Sequence, residues 1–295
     1  MAGLIYLALP LCLLLLFLLV QRRRTRLVAD HAAYPGLVTL DRATTRARGI
    51  GVGIATAAGI TTGFLGSYGR GLFQVPLVFA LVLVLCLDVA EVLVWRSART
   101  PGQASLESRR ARSYLPVGLT LGVLSLLGFI SVAFQWCRRH QNTTVGDYGE
   151  RIGTQYVWTS ADGRSSASGG PFPGTYYSIP AAWLLAALTL AVLVGIALVT
   201  LRPRNGADPV VVAVDDGTRH RSLEAILASA MVGLLGTFVF LLIGASTGAA
   251  QILLGRDWDS RLDLLGLALV AGAMALGAWA GSLVLVPGRA REVPA

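Results

Sequence analysis

Long apolar stretches alternate with short Arg-rich segments along the whole of the 295-residue chain. Most of these stretches hold about 20 residues, which is the length that an α-helix needs to cross the hydrocarbon core of a bilayer. Charged residues make up only 14% of the sequence, against roughly a quarter in an ordinary soluble domain. The pattern predicts an all-α fold, a polytopic bundle of seven transmembrane helices near residues 3–20, 49–69, 74–95, 115–136, 181–201, 225–245 and 263–286.

The distribution of positive charge predicts how this bundle is oriented. All 25 basic residues are Arg, and 18 of them fall in four segments that share one side of the membrane if the N-terminus lies outside. Cytoplasmic loops are enriched in positive charge, so we predict an outer N-terminus, an inner C-terminus and a location in the plasma membrane. The second stretch is rich in Gly and Thr and only weakly apolar, but its omission would place the later Arg-rich loops outside.

The seven spans are expected to form a single transmembrane domain over residues 1–295, with one extracytoplasmic loop over 137–180. Its long cytoplasmic loops are 21–48, 96–114 and 202–224. The outer loop contains the flexible polar stretch 162–170 and several aromatic residues. We expect partial order around Tyr156 and Trp158, either as a cap over the bundle or as a contact surface for a ligand or an envelope partner.

The three cytoplasmic loops share a sequence pattern. Each runs from a Pro to an acidic residue (Asp41, Glu107 or Asp215) and then to Arg-x-Arg, shortly before a span begins. Negative charge is favourable in the first turn of a helix, so each acid is expected to lie where a helix begins. The repeat predicts three helical hairpins followed by a seventh helix, with the Arg clusters beside anionic lipid headgroups.

Small residues spaced four apart predict where the helices pack closely. They occur in four of the spans, at Gly59 and Gly63, Gly118 and Gly122, Ser229 and Gly233, and Ala273, Gly277 and Gly281.

Two acidic residues, Asp88 and Glu91, interrupt the apolar pattern of the third span. Asp88 lies about 12 Å along the helix from Arg96, at about 1.5 Å per residue. An acid at that depth is expected to face the bundle, to pair, or to be protonated. The two residues are therefore either a structural charge pair, with Arg48 and Arg112 as candidate partners, or a proton or cation site.

Several classes of chemistry find no support in the sequence. The chain contains no Lys, which excludes a Schiff base to retinal or pyridoxal phosphate and the Lys of a phosphate-binding loop. The three Cys and three His are scattered, so no metal site and no cofactor is predicted. The Arg residues flank apolar spans and form no single basic face, which argues against a nucleic-acid partner.

The Arg-only basic residues, the Pro–acid–Arg-x-Arg entries and the seven spans resemble those of multi-pass integral membrane proteins of actinobacteria. The resemblance extends over the whole chain and implies a plasma-membrane protein. No catalytic or binding motif carries it, so no residue role is transferred.

Three functional hypotheses follow from these patterns. The favoured one is a structural or interaction protein that binds a membrane or envelope partner. The alternative is a small transporter or channel, proton-linked through Asp88 and Glu91. A membrane enzyme is the least favoured, because neither a metal cluster nor a paired nucleophile and base is visible in the sequence.

Overall fold

The computed structural model describes residues 25–29, 35–65, 69–97, 114–145, 151–159, 166–169, 172–202, 209–245, 260–285 and 289–293. Six helices dominate this part of the chain: α1 (Pro35–Gly63), α2 (Arg70–Ser97), α3 (Val117–Arg139), α4 (Thr175–Leu201), α5 (Pro209–Ala245) and α6 (Ser260–Leu285). Five short strands lie between and beside them: β1 (Thr25–Ala29), β2 (Gln141–Val145), β3 (Arg151–Thr159), β4 (Ser166–Gly169) and β5 (Arg289–Val293).

Five of the helices, α2 to α6, contain a stretch that is long and apolar enough to cross a membrane. This confirms the predicted class, a multi-pass helical bundle. The second predicted span is also helical, because it forms most of α1, but α1 is not among these five apolar candidates. The first predicted span, residues 3–20, lies outside the described part of the chain.

Helix α5 is the centre of the bundle and packs against α2, α3, α4 and α6. Its middle section, residues 225–231, is buried at every position. A helix that is apolar on all sides is expected to be buried in this way. Helix α2 is the second central element, because it packs against α1, α4 and α5.

Some of the small residues spaced four apart lie at close contacts between helices, as the sequence predicted. A Cβ atom built on Gly233 of α5 would lie 2.8 Å from the carbonyl oxygen of Pro76 in α2. Gly59 and Gly63 of α1 also lie against α2. By contrast, Gly118 and Gly277 have no described neighbour within 4 Å of the Cβ position, so these two residues provide no close helix contact.

The predicted helix entries differ from the structure in where they begin. Helices α1 and α5 start at Pro35 and Pro209, six residues before the acids Asp41 and Asp215. A Pro is favourable at the first position of a helix, because its missing N–H would have no partner there. Most of the predicted cytoplasmic loop 202–224 is therefore the first part of α5. The third entry, at Glu107, lies outside the described residues.

An aromatic cluster joins four helices at the end of the bundle where α2 and α4 begin. The ring of Phe73 in α2 lies 6.1 Å from that of Phe134 in α3, 5.7 Å from that of Tyr177 in α4 and 6.2 Å from that of Phe240 in α5, measured between centroids. These rings contribute apolar contacts between α2, α3, α4 and α5 at this end of the bundle.

The strands form two small sheets, which the hydrophobic pattern did not predict. Strands β2, β3 and β4 make an antiparallel sheet that contacts α4 through β3. Tyr156 and Trp158 lie in β3, and part of the stretch expected to be flexible forms β4. The other sheet pairs β1 with β5 in parallel, with Thr25 opposite Arg289 and Ala29 opposite Val293.

Candidate functional site

The buried charged residues of the described chain lie together at one end of the bundle, where α2 and α4 end and α5 begins. These residues are Asp88 and Glu91 on α2, Arg202 directly after α4, and Asp215 and Arg219 on α5. We call Glu91, Arg202, Asp215 and Arg219 the charge network, because they are joined by ion pairs.

Arg202 connects three helices at the centre of the charge network. Its Nη1 atom donates to Oε2 of Glu91 at 3.1 Å, and its Nη2 atom donates to Oδ1 of Asp215 at 2.7 Å. The rigid, planar guanidinium group carries several donors, so it can hold two carboxylates at fixed angles. The end of α4 is thereby fixed to both α2 and α5.

Arg219 closes the network and also caps α4. Its Nε atom donates to Oδ2 of Asp215 at 2.9 Å, a spacing of four residues on one face of α5. Its Nη1 and Nη2 atoms donate to the backbone carbonyls of Val199 and Arg202, at 2.9 and 2.8 Å. The last carbonyls of a helix have no partner within the helix and carry partial negative charge, so a buried guanidinium group stabilises them.

The second oxygen of Glu91 is also satisfied. Oε1 accepts a hydrogen bond from Oγ of Ser222 at 2.5 Å, so the carboxylate of Glu91 has a partner on each oxygen. Two Arg and two acids then balance one another within the charge network. Such a buried network contributes little net stability compared with an apolar core, but the loss of one member leaves an uncompensated charge.

Tyr114 connects the edge of the charge network to α3. Its hydroxyl donates to Oδ1 of Asp216 at 3.0 Å, and its backbone carbonyl accepts from Nδ1 of His220 at 3.0 Å. The ring of Tyr114 lies 6.0 Å from the guanidinium carbon of Arg219, within reach of a cation–π interaction. Residues from four successive helical regions therefore meet at this end of the bundle.

Asp88 lies beside the charge network without belonging to it. Asp88 is only 6% exposed, yet neither of its carboxyl oxygens has a hydrogen-bond partner in the part of the chain that the structure describes. The carboxyl group lies against the backbone of α4 at Gly195, where an added Cβ would collide with Oδ1 of Asp88 and lie 2.9 Å from Cδ1 of Ile226. Asp88 is thus enclosed by an apolar contact between α2, α4 and α5.

The two predicted acids, Asp88 and Glu91, differ in their contacts, and only one of their two candidate Arg partners is described by the structure. Asp88 and Glu91 are both buried in the bundle, but only Glu91 is paired. Its partners are Arg202 and Ser222. Arg48 is half-buried on α1, and Arg112 lies outside the described residues, so their predicted pairing with the two acids stays a prediction.

One sequence signal could have identified Asp215 and Arg219, which are half of the charge network. The acids Asp41, Glu107 and Asp215 occupy equivalent positions in the three predicted cytoplasmic loops, but only Asp215 has an Arg four residues later. That spacing favours an ion pair along a helix. Arg202 carries no comparable signal, because its partner Glu91 is more than 100 residues away in the sequence.

No group of three or more His, Cys, Asp or Glu that could hold a metal ion occurs among the described residues. No family model, curated protein or solved structure matches the chain. The fold defines it as a multi-pass helical membrane protein. A more particular function must come from the geometry of the charge network and Asp88.

Proposed function

We propose that the protein is a structural or interaction protein of the plasma membrane, in which the charge network clamps the ends of α2, α4 and α5. The observation that carries this proposal is the closed geometry of the network. Its two guanidinium groups and two carboxylates are joined to one another, to Ser222 and to the end of α4. A group that binds and releases a substrate needs an open position, whereas these groups are engaged with the protein itself.

A rigid bundle of this kind suits a protein that presents surfaces to a partner. The proposed outer surface is the loop 137–180 with its three-stranded sheet, and a membrane or envelope protein is the proposed partner. On the inner side, the Arg clusters at the helix entries are proposed to contact anionic headgroups. The proposed layout has seven spans, with the N-terminus outside and the C-terminus inside.

The alternative function is a small, proton-linked transporter or channel. The observation that favours it is the buried carboxyl group of Asp88, for which the described residues provide no hydrogen-bond partner. Ionisable residues inside membranes often mark ion pathways. Glu91 supports this alternative less, because Arg202 and Ser222 hold both of its oxygens.

One experiment separates the two functions. The full-length protein would be cross-linked in native membranes and identified with its neighbours by mass spectrometry, and then reconstituted in liposomes for proton-flux measurements. We expect one dominant partner, whose cross-links are lost when residues 151–169 are replaced by a Gly/Ser linker, and no flux above that of empty liposomes. A proton flux that Asp88→Asn abolishes, without a loop-dependent partner, would refute the structural proposal and establish the alternative.

A further inference from the structure

Among the described residues, an ionised Asp88 would have no ion-pair partner. The buried charged groups described around it are Glu91 on α2, Arg202 after α4, and Asp215 and Arg219 on α5, and these four are already paired with one another. The other charged side chains described on the first part of α5, Asp216, Arg221 and Glu224, are only half-buried. A fifth, negative charge would therefore lie in a buried and otherwise neutral cluster. Burial of an unpaired carboxylate is strongly unfavourable.

The packing around Asp88 also restricts which ligand could neutralise it. A metal cation such as Ca²⁺ or Mg²⁺ needs about six oxygen ligands at 2–2.6 Å. The Asp88 carboxyl group instead lies against Gly195, and its oxygens have no hydrogen-bond partner among the described residues. A proton needs no further ligand and no space, so it is the ligand that this geometry accommodates.

We propose that Asp88 is a proton-binding site within the bundle, and that release of its proton is coupled to separation of α2 from α4. The coupling follows from the contact with Gly195. The absence of a side chain there lets the neutral carboxyl group lie directly on the α4 backbone. An ionised carboxylate requires water, and water can reach both oxygens only if the helices move apart. This inference is independent of the proposed structural function, because it requires neither a partner nor a flux.

The direct test is infrared spectroscopy of the full-length protein in nanodiscs over a pH series. A protonated carboxylic acid has a C=O stretch that a carboxylate lacks. Above about pH 6, where ordinary carboxyl groups are ionised, we expect the wild type to show such a band, which disappears as the pH rises further. Asp88→Asn should abolish the band, and Asp216→Asn should retain it, because Asp216 is half-buried and accepts a hydrogen bond from Tyr114.

The coupling is tested by the distance between spin labels on lipid-facing positions of the two helices. Val89 of α2 and Leu193 of α4 are 60% and 58% exposed, so labels at Cys substituted there should not disturb the core. The three native Cys would be replaced by Ala beforehand. We expect the distance to increase at alkaline pH in this background, and to stay constant when Asp88→Asn is added.

Three outcomes would overturn the proposal. These are a wild type without the carboxylic acid band above about pH 6, a band that persists there in Asp88→Asn, and a label distance that does not depend on pH. Gly195→Ala keeps the proposal testable if Asp88→Asn does not fold. Its methyl group displaces the carboxyl group or α4, so it should change the pH at which the band disappears. An unchanged titration in Gly195→Ala would contradict the coupling.

Discussion

Arg202→Met is expected to be among the most destabilising single substitutions in the charge network. It removes the ion pairs of Arg202 with Glu91 at 3.1 Å and with Asp215 at 2.7 Å. Loss of one member of a buried ionic network costs about 3–5 kcal/mol, because the remaining charges stay buried without compensation. Each carboxylate keeps one partner, Ser222 or Arg219, so we expect about 3 kcal/mol.

The free energy of unfolding would be measured on the full-length protein in detergent micelles, with Arg139→Met as the matched control. Arg139 lies exposed at the end of α3, and its substitution should change stability by less than about 0.5 kcal/mol. The double variant Glu91→Gln with Arg202→Met should recover part of the loss, because it removes a carboxylate that has lost its Arg. Contacting residues of one network show coupling energies of about 0.5–3 kcal/mol in such cycles.

Two results would refute the role assigned to Arg202. One is an Arg202→Met variant as stable as Arg139→Met, which would mean that the guanidinium group is solvated and holds no helices together. The other is strict additivity of Glu91→Gln and Arg202→Met, which would mean that the two side chains do not interact in the membrane protein.

Two further predictions concern packing and orientation. Gly233→Ala should destabilise the bundle by about 1–3 kcal/mol, because its methyl group would meet the backbone of Pro76, which cannot move aside. Gly118→Ala should be neutral or stabilising, because no described neighbour lies within 4 Å of its Cβ position. Thermal unfolding of the two variants would be compared. A topology reporter after Ala295 should report the cytoplasm and one inserted near Ser166 the outside, and two reporters on the same side would contradict the proposed orientation.

The helices were predictable from the sequence because their signal is local. Length and apolar composition alone decide whether a helix can cross a membrane, and α2 to α6 satisfy both conditions. The Pro–acid–Arg pattern predicted the entries of α1 and α5 but placed their starts six residues too late. Strands β2 and β4 carry no apolar alternation. In β3, Ile152, Tyr156 and Trp158 fall on one face, but so short a pattern predicts a strand poorly, because strand formation depends on the neighbouring strand as much as on intrinsic preference.

The candidate site was predictable only in part, for a related reason. The burial of Asp88 and Glu91 follows from their position inside an apolar stretch. Which of them is paired depends on where α4 ends, and Arg202 reaches Glu91 only because α2, α4 and α5 are neighbours. The close contact of Asp88 with Gly195 likewise joins residues that are distant in sequence.

The parallel pairing of β1 with β5 constrains how many times the chain crosses the membrane. Hydrogen-bonded strands must share one side of a bilayer, so the number of crossings between Ala29 and Arg289 has to be even. Helices α2 to α6 supply five apolar candidates, which is an odd number. Among the described helices, α1 is the one left to supply a sixth crossing. The composition of α1, which is rich in Gly and Thr, is only weak evidence that this helix spans the membrane. The five residue pairs between β1 and β5 are a separate line of support, because they require an even number of crossings.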